Sequence, residues 1–181
     1  MKRKFQTFNL LLFFIPLLTF TSCDKETVKK LEDPTLRKQE WITGSWKQTD
    51  IVLAYSIPFA GQQLPVGFSL HNVVDYLPLT GPKITATKDN VFTFDAKGTF
   101  SITGSTDFIL PNTGNSGTWN LQAYGAALHL ISADNVDIPI WIESLDSINL
   151  KLGSLGFTVN IYEANPPKGA NVPVYLIFEK Q

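Results

Sequence analysis

The chain has one cysteine and two histidines in its 181 residues, and no arginine after Arg37. Each shortage closes off some chemistry. His71 and His129 are the whole supply of imidazole bases and ligands. A nucleic-acid binder needs a basic face, and a chain this poor in arginine offers none. No glycine loop of the phosphate-cradling kind precedes a helix, so phosphoryl-transfer and dinucleotide chemistry have no support. The long apolar run, Leu10 to Phe20, is too short to span a bilayer comfortably.

That run belongs to a targeting segment. Lys2-Arg3-Lys4 forms a basic n-region, the apolar run follows, and Thr21-Ser22 lead to Cys23, the lone cysteine. Leu18-Thr19-Phe20-Thr21-Ser22-Cys23 resembles a bacterial lipobox, with Phe20 where a leucine is usual. The resemblance implies cleavage before Cys23 and a lipidated sulfur, with acyl chains such as palmitate. A plain secretory leader that ends near a cysteine is the alternative. Acylation would consume the only thiol, leaving none for a disulfide, a thiolate metal site or a nucleophile. Without residues 1–22 the chain carries 12 basic and 16 acidic residues, a net charge of −4.

Residues 23–35 read as the lipidated cysteine and a charged tether with little apolar surface to bury. Acidic residues just after the cysteine resemble the surface-export signals of Bacteroidetes lipoproteins. In enterobacterial sorting, Asp24 would instead favour retention in the inner membrane. The expectation is a lipid-anchored protein of the cell envelope, in the outer membrane, on its periplasmic or its surface face.

From residue 36 the pattern is a short helix, ending near Trp41, and then short strands. Trp46 to Tyr55 is the first. Phe92 and Phe94 alternate before the turn Asp95-Ala96-Lys97-Gly98, and Thr99 to Thr103 alternates after it. Thr118 to Leu121, Ala127 to Ser132, Val136 to Ile142, Ser147 to Leu152, Leu155 to Tyr162 and Val172 to Phe178 complete the set. Eight or nine strands with hairpin-length links predict an all-β, antiparallel, up-and-down barrel over 36–181. Its interior is expected from Phe92, Phe94, Phe100, Ile102, Trp119, Leu121, Leu128, Leu130, Ile148, Leu150, Phe157, Val159, Val174 and Leu176.

Gly44-Ser45-Trp46 at the head of the first strand, after a short helix, resembles the opening of lipocalins and the wider calycin group. The hairpin from Phe92 to Thr99 and a second Gly-x-Trp, Gly117-Thr118-Trp119, extend the resemblance. It implies Gly44, Trp46, Gly117 and Trp119 as structural positions, with Trp46 buried at the closed end beneath Leu36 and Trp41. One departure is the missing arginine on the last strand, which in lipocalins packs on the first-strand tryptophan. Lys180 lacks the planar group for that role.

Residues 57–82 break the strand pattern with Pro58, Pro65, Pro78 and Pro82 yet stay apolar. A connection of that kind must bury its apolar residues, either as a lid over a ligand or as additional core. The resemblance implies a small apolar or amphipathic ligand, with Phe59, Phe68, Tyr76, Leu77, Phe100 and Phe157 as contacts. The alternative is a packed barrel serving as a non-enzymatic interaction module in an envelope complex. No catalytic residue, cofactor or metal is expected. Gly67-Phe68-Ser69-Leu70-His71 lacks the second glycine of a nucleophile elbow. Asp134, Asp137, Glu143 and Asp146 read as turn residues in preference to a calcium site. His129 should face solvent, opposite Leu128 and Leu130. Trp41, Trp141, Tyr55 and Tyr124 are candidate stacking surfaces for a sugar or lipid, or simply half-buried aromatics.

Overall fold

Helix α1, Pro34–Ile42, ends where a strand must begin. Ile42 is its buried residue, and Gly44 two positions later breaks the helical path with a φ of 125°. The computed structural model of the chain describes residues 34–181 except 60, 78–80, 107–113, 154–157 and 164–167. Over 158–163 and 168–171 it describes the backbone alone.

Among the described residues eleven strands follow α1. They are β1 Gly44–Leu53, β2 Ile57–Phe59, β3 Gln62–Leu64, β4 Val91–Phe94, β5 Thr99–Thr103, β6 Ser116–Gln122, β7 Ala127–Ser132, β8 Asp137–Leu145, β9 Asn149–Gly153, β10 Thr158–Glu163 and β11 Lys168–Lys180. Neighbours pair in the order β1-β4-β5-β6-β7-β8-β9-β11, all antiparallel. β11 then pairs back onto β1, from Trp46 opposite Lys180 to Leu53 opposite Val174, and closes an eight-stranded barrel. β10 pairs with the first part of β11, and β2 and β3 form a separate hairpin.

Alternation builds the core. In β5 the buried residues are Phe100 and Ile102, with Thr99, Ser101 and Thr103 outside. Phe92, Phe94, Trp119, Leu128, Leu130, Leu150, Val174 and Leu176 point inward as the alternation predicts, and Leu121 packs partly buried against them. Phe157 and Val159 lie outside the residues whose side chains are described. Ile148 is a correction: it is 63% exposed. Asp146 Oδ1 accepts hydrogen bonds from the backbone N–H of Ile148 and Asn149, which makes 146–148 a turn and starts β9 at Asn149, two residues later than the expected Ser147. The strand expected to end at Ile142 also ends late. β8 runs through Leu145 with a register shift between Ile142 and Ser144.

Candidate functional site

Two structures close the barrel, one at each end, and between them they enclose the apolar interior. At the end where β1 begins, Trp46 is fully buried and its Nε1–H donates to the Ile42 carbonyl at 2.6 Å. Trp119 Nε1–H donates to the Asp95 carbonyl at 3.0 Å, and its ring meets Phe94 edge-on. The cover over Trp46 differs from the expected one. Leu36 is 42% exposed, and Ile42 is the fully buried residue of α1. Trp41 is half-buried, with the Arg37 guanidinium 4.9 Å from its ring.

The last-strand cation is present after all, as Lys180. Its Nζ lies 5.2 Å from the centre of the Trp46 ring and donates to the Trp41 carbonyl at 2.7 Å. Gly44 explains the Gly-x-Trp spacing. A Cβ there would stand 2.9 Å from Lys180 Cε, so the lysine stem passes where a side chain would be. Gly117 answers to packing as well, since a Cβ would fall 2.0 Å from the Ile131 carbonyl oxygen.

The other end is closed by residues 57–89. β4 pairs with β1 only as far as Lys47. Beyond that point the free edge of β1 is taken up by other backbone. Gln48 N–H donates to the Asn90 carbonyl, Leu53 N–H to the Phe68 carbonyl, and Gly67 N–H to the Leu53 carbonyl. A 3-10 turn, Leu70–Tyr76, and a short helix α2, Gly81–Ala86, follow. They turn Leu70, Val73, Leu77 and Ile84 into the same apolar cluster as the strands, together with Phe59 and Leu64 of the β2–β3 hairpin. Of the expected ligand contacts, Phe59, Leu77 and Phe100 are therefore core residues, and Phe68 packs partly buried against them. Tyr76 is 72% exposed and faces away. Phe157 lies outside the described residues.

Part of the described interior is tightly filled. Ile51, Leu53, Leu128, Leu130, Leu152, Leu176 and Phe178 are all at 0% exposure. A void wide enough for water would leave its lining side chains with accessible surface, and these have none.

A polar cluster lies beside this closure, and reading the sequence alone missed it. Ser69 Oγ donates to Asp50 Oδ1 at 2.7 Å, and the His71 backbone N–H donates to Ser69 Oγ at 3.3 Å. His71 Nε2 is 3.8 Å from Asp50 Oδ1. The His71 side chain is more than nine-tenths buried, and both ring nitrogens lack a protein partner among the described residues. The weak signal was Ser69 two residues before His71, and only the strand register supplies Asp50. This is not a hydrolase relay, because the hydroxyl is bonded to the carboxylate and caps the turn at Leu70. Nearby, Asn90 Nδ2–H donates to Gln48 Oε1 and to the Ser105 carbonyl, while Gln48 Nε2 and Asn90 Oδ1 have no partner among the described residues.

The remaining candidates disperse. His129 lies on the outer face as expected, but it is paired there, Nδ1 to the Asp137 carboxylate at 3.0 Å. The strand β8 separates Asp137 from Asp146, and among the described residues no three His, Cys, Asp or Glu groups converge as metal ligands. Trp141, Tyr55 and Tyr124 are exposed singly on a strand, a loop and a turn. No family model matches the chain, and no curated protein matches it significantly.

Proposed function

We propose that the protein is a lipid-anchored lipoprotein of the cell envelope, held at the outer membrane through acyl chains on Cys23. In this reading its lipocalin-like barrel is a packed, non-enzymatic module that joins an envelope complex through its outer surface. The carrying observation is the interior. Side chains from the strands and from the described residues of 57–86 form one apolar cluster, and Ile51, Leu53, Leu128, Leu130, Leu152, Leu176 and Phe178 within it keep no accessible surface. The cluster itself is aliphatic and aromatic, while the buried polar strand residues Gln48 and Ser132 are not part of it. Native mass spectrometry of the full chain, released from detergent, is expected to give the lipidated polypeptide mass alone. A stoichiometric small apolar mass that survives release would overturn this reading.

That outcome would favour a second reading, in which the barrel carries a small apolar or amphipathic ligand. Its supporting observation is that one end is closed by a connecting segment where β4 leaves β1, and not by paired strands. Displacing that segment would expose Phe59, Phe68 and Leu77, which it carries.

A further inference from the structure

His71 is out of place in a folded interior unless it does something. Burying a polar ring with neither nitrogen bonded is unfavourable, and burying it charged is much more so. The ring sits where the closing segment meets β1. On its own turn it is flanked by Leu70 and Val73, which reach into the apolar cluster. The geometry points to a pH-sensitive closure: residues 69–77 seal the open end of the barrel while the His71 ring is neutral, and loosen from β1 when it takes up a proton.

Charged groups around the ring come from every element packed on the turn. β1 contributes Asp50, whose Oδ1 already accepts from Ser69 Oγ and from the Ile51 N–H. The 3-10 turn Thr87–Asp89 contributes Lys88, which disfavours a second positive charge. Lys83 of α2, Asp89, and Asp75 on the same turn as His71 are all exposed. Burial, and then Lys88, hold the imidazole below its ordinary pKa, with Asp50 pulling the other way. The closed state therefore binds its proton less readily than the open state. Closure is fully stable above the ordinary histidine pKa and weakens as pH falls below it. The imidazolium has no short bond waiting, since Asp50 lies 3.8 Å away and two donors already occupy its Oδ1.

The inference stands apart from both readings of function, because it concerns the segment alone. The test is amide hydrogen exchange of the full chain, corrected for the intrinsic rate, between about pH 7.5 and about pH 5, the range across which histidine titrates. Protection of Ser69–Leu77 is expected to fall several-fold on acidification while β6 and β7 keep theirs. His71→Gln should flatten that response. Lys88→Gln, on the surface, should shrink it, because removing the cation eases protonation of the closed state. Equal loss in wild type and His71→Gln, or loss shared by β6 and β7, would overturn the proposal. If His71→Gln does not fold, the ring titration of His71, read by NMR in a His129→Asn background, decides. A His71 that titrates at the ordinary value, with no accompanying change in 69–77, overturns it as well.

Discussion

Trp46, Lys180 and Gly44 form one local unit. The tryptophan buries its ring under α1 and bonds its N–H to the last carbonyl of that helix. The lysine crosses the ring and reaches the carbonyl before it, sharing the cation–π contact and one charge-assisted hydrogen bond. A planar guanidinium is not needed for this, because the acceptor is a single carbonyl and a point charge suffices. A lysine of the last strand thus covers the first-strand tryptophan. Trp46→Ala is expected to cost about 3–5 kcal/mol in chemical denaturation, as for a large aromatic removed from a core. Lys180→Met keeps the apolar stem but loses the bond and the charge, and should cost about 1–2 kcal/mol. A Lys180→Met loss equal to that of Trp46→Ala would mean the two act as one group and not as ring and cover.

At the scale of elements, the strands were legible where one face is buried and the other is wet. β4, β5 and β7 begin and end where alternation and turn residues place them, because Phe92 and Phe94, Phe100 and Ile102, and Leu128 and Leu130 each mark a single inner face. The ends of β8 and β9 were not legible, since a register shift and an aspartate-capped turn moved Ile148 to the surface. Residues 57–89 hid most. Their apolar content announced burial, but which residue faces inward depends on 3-10 and helical turns that carry no strand period. Tyr76 and Leu77 are neighbours with opposite fates, one exposed and one at 1%. Asp50, Ser69 and His71 were equally hidden, because strand pairing and not spacing brings them together. Leu77→Ala is expected to cost about 2–5 kcal/mol. Tyr76→Ala should stay within about 0.5 kcal/mol, as for a surface change. Two similar losses would mean that the turn packs with its other side inward.

At the scale of the molecule, the question is how the domain meets a membrane. The barrel itself is built the wrong way round to lie within one. Its inner positions are apolar, while Thr99, Ser101, Thr103, Thr118 and Asn120 line the outside of β5 and β6. A spanning barrel shows the reverse, apolar toward lipid and polar within. Among the described residues no helix is long and apolar enough to cross a bilayer. In the proposed reading attachment falls to Cys23. Each methylene buried in the bilayer contributes about 0.8 kcal/mol, so two or more acyl chains hold a domain firmly where one would not. Wild-type protein should fractionate with membranes and show a mature N-terminus at Cys23 with added acyl mass. Cys23→Ala should accumulate uncleaved or soluble, with the barrel still folded, because the described barrel strands run from Gly44 to Lys180. Membrane fractions of equal strength for the two proteins, with no acyl mass on the wild type, would remove the anchor from the account and leave the packed barrel standing on its own.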